Sequence, residues 1–344
     1  MKLWLTFILL MIIPFEIISA QDSKLVIDKP GSFIIVKQGI YGNSHDIYNY
    51  KYVYTKTESK ANYEKLVGMI DVFRKTPVLA EQKGYDGEVS LKGSTLNSKC
   101  GFGIPCMVVF MFKEWFLRKG KLVQWTVEPP QWRFQVNELD RFASNGFNYT
   151  STVTNPPTNP AYDEQKRINA TIALRELFFQ PGKKESVGQG IDKYGNEQVV
   201  IFNPHRPPYW IQVTIREVFN LYFNYWKMEP DKRDLDKMLE VLNTEYARFT
   251  ELERDGYAYM GNNESIFLIG TDSRKLPVLL PNPDYWNKDL TRSAIQFIVL
   301  SVPGDKDFHK KEMENLLKRN DGYYYVKRLL YELDINTLYP IIDQ

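Results

Sequence analysis

Residues 107–136, MVVFMFKEWFLRKGKLVQWTVEPPQWRFQV, decide the fold class. Met107 to Leu117 and Lys121 to Val127 are β-branched, aromatic and apolar runs joined by Arg118-Lys119-Gly120, the pattern of a β-hairpin. Glu128-Pro129-Pro130 stops the second run, because proline has no amide hydrogen to give to a ladder. A short strand at Trp132 to Val136 follows.

Outward from this hairpin the N-terminal side keeps strand chemistry. Ser32 to Val36 is one strand, and Ile47 to Tyr54 is another that places Tyr48, Tyr50, Tyr52 and Tyr54 on one face. Between them and the hairpin, Glu58 to Lys75 spaces Tyr63, Leu66, Val67, Ile70 and Phe73 as an amphipathic helix that Pro77 stops.

The C-terminal side is richer in helical spacing. A helix is expected at Asp163 to Phe179, and a second after Pro207-Pro208, with Ile211, Ile215, Val218, Phe219, Tyr222, Tyr225 and Trp226 on its stripe. Asp231 or Asp234 caps a third, whose stripe runs from Leu235 to Leu252. Short strands are expected at Gln198 to Phe202, Tyr257 to Met260, Ser265 to Ile269 and Leu276 to Leu280. A mixed segment at Ile295 to Val302 and helices at Lys306 to Lys318 and Tyr323 to Leu333 close the chain. The sequence therefore predicts an α+β protein: a strand-rich N-terminal part with one amphipathic helix, and a helix-rich C-terminal part with short hairpins. Residues 151–161, STVTNPPTNPA, are poor in apolar side chains and mark a linker or long loop between domains at 21–150 and 162–344.

Residues 1–20 combine Lys2, an apolar run from Leu3 to Ile13 broken by Thr6, Pro14, and small residues at Ser19 and Ala20. This is the pattern of a secretory signal peptide, and the expected address is periplasmic or extracellular. No later stretch is long and apolar enough to span a membrane. In an oxidising compartment the only two cysteines, Cys100 and Cys106, are expected to form a disulfide, worth about 2 kcal/mol for so short a loop.

Lys and Arg number 44 against 42 Asp and Glu, so no strong field draws the chain to nucleic acid. The 43% hydrophobic content rules out disorder. The oddity is aromatic: 20 Phe, 22 Tyr and 7 Trp, many of which helical stripes absorb into the core. The aromatics left over are the tyrosine face at 48–54, Trp125, Trp132, and two Tyr-Trp dipeptides that end related stretches, VVIFNPHRPPYW at 199–210 and PVLLPNPDYW at 277–286.

The motifs of common catalysts are missing. His45, His205 and His309 lie too far apart in sequence for a zinc-peptidase motif, and no nucleophile elbow or phosphate-cradling glycine loop occurs, so no metal or cofactor is expected. Three glycosylation sequons, at Asn148, Asn169 and Asn263, have meaning only in a eukaryotic secretory pathway. Two sites remain. Glu128 between Trp125 and Trp132 has the makings of a glycosidase acid beside sugar-stacking rings, with Glu88, Glu114 or Asp140 as its partner, or it is a solvent-facing residue before the proline stop. His205, Arg206, Tyr209 and Trp210 form a rigid loop able to hold an anionic or peptide ligand, or else Tyr209 and Trp210 plug the core. The expected function is that of a non-catalytic binding or envelope-interaction protein with a glycan or peptide partner. The alternative is a secreted hydrolase of glycan or peptide polymers.

Overall fold

The computed structural model describes residues 23–38, 54–93, 102–138, 156–180, 182–195, 198–261, 269–301, 314–315, 317–318 and 323–343. Cys100, Asp140, His45, His309, the tyrosine-faced segment up to residue 53, the turn of the 257–269 hairpin and most of 306–318 lie outside these residues, as does the expected signal peptide.

The N-terminal elements are β1 (Ser23–Leu25), β2 (Phe33–Gln38), α1 (Lys56–Phe73), α2 (Pro77–Glu81), β3 (Tyr85–Gly93), β4 (Cys106–Arg118), β5 (Lys121–Gln124) and β6 (Gln131–Val136). After them come α3 (Glu164–Arg175), β7 (Phe178–Phe179), β8 (Lys184–Gly188), β9 (Ile191–Tyr194), β10 (Gln198–Phe202), β11 (Trp210–Gln212), α4 (Ile215–Trp226), α5 (Lys232–Ala247) and α6 (Glu251–Arg254). The chain closes with β12 (Tyr259–Met260), β13 (Ile269–Gly270), β14 (Val278–Pro281), β15 (Phe297–Ser301), α7 (Tyr324–Glu332) and a 3-10 helix at Ile335–Ile341. The fold is α+β, as the sequence predicts.

The described strands build a ten-stranded sheet in the order β2-β3-β4-β6-β15-β10-β9-β8, with β1 and β5 both added to the far end of β4. Only β2 and β3 run parallel within it, and parallel neighbours need a crossover, which α1 and α2 supply. α1 begins with Thr55 and Glu58 bonding each other's backbone amides, a reciprocal cap that fixes the helix start. β15 sits between β6 and β10, so strands from before and after the 151–161 stretch share one sheet.

The two central strands are buried on both faces, and their alternation feeds two cores. Val199, Ile201, Ile298 and Leu300 join a core with Leu66, Ile70 and Phe73 of α1, Phe110 and Phe134 of the sheet, and Val326 and Leu329 of α7. Val200, Phe297 and Val299 face the other way, onto Phe178, Tyr209, Trp210, Leu279, Tyr285 and Trp286. That second face is covered by the small sheet β11-β14-β7. A third core joins Leu174 of α3 to Val218, Phe219 and Tyr222 of α4 and Leu242 of α5.

Several element boundaries differ from the sequence reading. The helix expected to reach Phe179 stops at Arg175, and Phe178 and Phe179 instead pair with Leu279 and Val278. The helix expected directly after Pro207-Pro208 begins only at Ile215. There Thr214 and Glu217 form a capping box, while Trp210–Gln212 is a strand against β14. Asp231 does cap α5, accepting from Arg233 N at 2.8 Å, but that helix ends at Ala247 and Thr250 starts a new turn.

The expected cysteine bridge is not present at Cys106, which carries a free thiol. Its side chain points to the α1 face of β4, fully buried, and donates to Asn62 Oδ1 at 3.1 Å. Burial, reinforced by the Glu138 charge, pushes this thiol well above its ordinary range, so it is an inert core group rather than a nucleophile.

Candidate functional site

The 203–210 loop is built around internal bonds. Asn203 Oδ1 accepts from His205 N at 2.9 Å, and Asn282 Oδ1 accepts from Asp284 N at 3.0 Å, so both Asn-Pro steps make the same two-residue side-chain turn. The strands that precede them lie in different sheets, β10 in the large one and β14 in the small one. Arg206 then reaches across and donates to three consecutive carbonyls, those of Asp284 at 2.9 Å, Tyr285 at 2.8 Å and Trp286 at 2.8 Å. A rigid guanidinium fork suits this task, since several donors leave one planar group.

Tyr209 ends the loop inside the protein. Its hydroxyl donates to Asp192 Oδ2 at 2.6 Å and lies 2.6 Å from the Tyr194 hydroxyl. Lys184 of the edge strand β8 closes the cluster with an ion pair to the same Asp192 oxygen at 2.8 Å, its side chain 49% exposed where that of Asp192 is 3% exposed. Burial drives both phenols above their usual range, so Tyr194 and Tyr209 remain neutral hydrogen-bonding groups. Trp210 packs edge-on against Phe178 at 5.1 Å between centroids, Tyr285 donates to the Gln296 carbonyl at 2.5 Å, and Trp286 is fully buried. Of the loop residues singled out from the sequence, Arg206, Tyr209 and Trp210 are thus committed to the fold. Only His205, with its neighbours Pro204, Pro207 and Pro208, lies on the surface.

The carboxylates are spread rather than gathered. Glu88 pairs with Lys113 at 2.7 Å on one face of the sheet, opposite Met111 in register, while Glu114 is fully buried on the α1 face opposite Tyr85. Side chains on opposite faces cannot converge on one glycosidic bond. Glu128 is exposed, in a bend just past β5 with a left-handed φ of 47°. Trp132 is buried, its Nε1 donating to the Ser301 carbonyl at 2.7 Å, and so does not flank Glu128 on a common surface. Among the described residues no group of three or more His, Cys, Asp or Glu could hold a metal ion.

Trp125 is the exception among the aromatics the sequence singled out. It is 37% exposed, leans on Phe116 at 6.1 Å, and donates from Nε1 to the Val127 carbonyl at 2.6 Å. Around it, the far end of the β4–β5 hairpin keeps Leu117, Leu122, Val123 and Val127 exposed, Val127 at 76%. The turn is Lys119-Gly120 with φ of 47° and 72°, the two-residue geometry that matches strand twist, and a methyl group built on Gly120 would meet open space. Sequence reasoning found the hairpin and Trp125 but not the rest of this surface. The available signal was two cross-strand pairs, Leu117 with Leu122 and Phe116 with Val123, of which only Phe116 packs against a core.

Comparison of the chain with protein-family models, curated proteins and solved structures finds no match.

Proposed function

We propose that the protein is an exported, non-catalytic binding protein of the cell envelope and that it engages its target through the end of the β4–β5 hairpin. The observation that supports this reading is that one projecting hairpin end exposes apolar side chains on both of its faces, Leu117 and Leu122 on one and Val123 and Trp125 on the other, with Val127 just past β5. Single exposed apolar side chains are ordinary, but several together beside a tryptophan mark an interaction surface. The aromatic excess itself gives no support, because both Tyr-Trp dipeptides and Trp132 are buried.

Sedimentation with isolated envelopes tests the reading. The chain beginning at Gln21 is expected to pellet with envelopes, and the double variant Leu122→Ser, Val127→Ser to stay in the supernatant with unchanged thermal unfolding. Both positions are exposed, so the substitutions remove surface and no core packing. Equal pelleting of the two proteins would reject the hairpin as the binding surface.

A further inference from the structure

We propose, resting on the hairpin reading above, that the partner of this surface is a bilayer face rich in anionic phospholipid. Three features of the hairpin end carry the inference.

The first is charge. Residues 24–29 and 115–128 form the end of this sheet and hold Lys24, Lys29, Arg118, Lys119 and Lys121 against two acids, Asp28 and Glu128. The chain as a whole is nearly neutral at +2, so this excess is local. Lys24 lies opposite Leu117 in register, and Arg118 opposite Lys121, which interleaves cations with the exposed apolar side chains. Lys29 stands 3.8 Å over the Trp115 ring, extending the basic surface along the same end.

The second is the pairing of residue types. Long cationic side chains lay their methylenes along apolar neighbours and hold the charge at the phosphate level, while tryptophan, with an apolar body and a polar N–H, favours the headgroup region. A shallow seating of the hairpin end in the headgroup layer would bring Leu117 and Leu122 on one face, and Val123 and Trp125 on the other, to the acyl boundary, with the lysines of the turn against phosphates. Deep insertion of the tip is opposed by Arg118, Lys119 and Lys121 at its apex.

The third feature argues against a peptide that would add a strand to the hairpin. β5 is only four residues long, carries Lys121, and runs into Pro129-Pro130 within a few residues. Short length, lysine and proline are the devices by which proteins blunt sheet edges against strand addition.

The test uses the whole chain from Gln21 and protein-free vesicles, either of phosphatidylcholine alone or with about one-third phosphatidylglycerol. Co-sedimentation is expected with the anionic vesicles, at least about tenfold stronger than with the neutral ones, and weakening as salt rises past the point where the screening length falls below about 10 Å. The double variant Lys119→Glu, Lys121→Glu is expected to lose this binding while keeping its circular dichroism and unfolding temperature, since both lysines are exposed at the turn. Binding that ignores lipid charge, or that survives the double reversal, would overturn the proposal. No vesicle binding together with retained envelope sedimentation would overturn the lipid partner alone and leave the hairpin reading standing. Failure of both assays would remove both.

Discussion

Phe297→Ala is expected to cost about 3–5 kcal/mol of folding stability, the range for truncating a buried aromatic side chain. Phe297 is fully buried at the start of β15, on the face that meets the small sheet, with its ring 5.2 Å from Tyr209 and 5.8 Å from Tyr285. Neighbours on both sides are pinned by polar bonds, Tyr209 to Asp192 and Tyr285 to the Gln296 carbonyl, so the cavity cannot collapse by letting those rings slide in. The loss is expected in urea unfolding as a lowered midpoint with an unchanged slope. Val187→Ala on the exposed edge strand β8 serves as the control, with a change within about 0.5 kcal/mol. A Phe297→Ala cost as small as the control's would mean that the two-sided burial of the central strands is wrong.

Arg206→Ala is expected to destabilise the fold by about 2–4 kcal/mol, because carbonyls that lose a charged donor keep their desolvation penalty. The bonds to the Tyr285 and Trp286 carbonyls are both partly buried, so truncation leaves two partly desolvated acceptors without their charged donor. Arg206→Lys is expected to recover less than half of the loss. An ammonium is a point donor on a flexible stem and cannot reproduce a planar fork reaching three carbonyls in a row. Urea unfolding of the two variants checks this. Full rescue by lysine would show that the charge, and not the three-carbonyl clamp, is what the loop needs.

These two positions also show what sequence could and could not convey. The β4–β5 hairpin was legible because two β-rich runs flank a Lys-Gly turn and a Pro-Pro stop, all of them local signals. The Asp231 cap and the α1 stripe were legible for the same reason. β3 escaped because YDGEVSLKG holds glycines and charges that a strand disfavours. Its place between β2 and β4 overrides that preference, with Tyr85, Val89 and Leu91 facing the core. β7 and β11 escape because two- and three-residue strands have no period of their own, so Phe178 falls within the span of the expected 163–179 helix and Ile211 on the stripe of the next. The 205–210 loop was legible as a loop. Which way Tyr209 and Trp210 turn depends on Asp192, Tyr194 and Phe178, and nothing local to the loop encodes those partners. Cys106 was read through its spacing to Cys100, whereas the inward alternation of β4 decides its burial.

Hydroxyl-radical footprinting of the chain bound to isolated envelopes tests the central claim most directly, since it compares the two candidate surfaces in one experiment. Protection is expected at Leu117, Leu122, Trp125 and Val127, with His205 and Pro207 reacting as they do in the free protein. Protection at His205 and Pro207 with an unchanged hairpin would contradict the account and return the binding site to the loop.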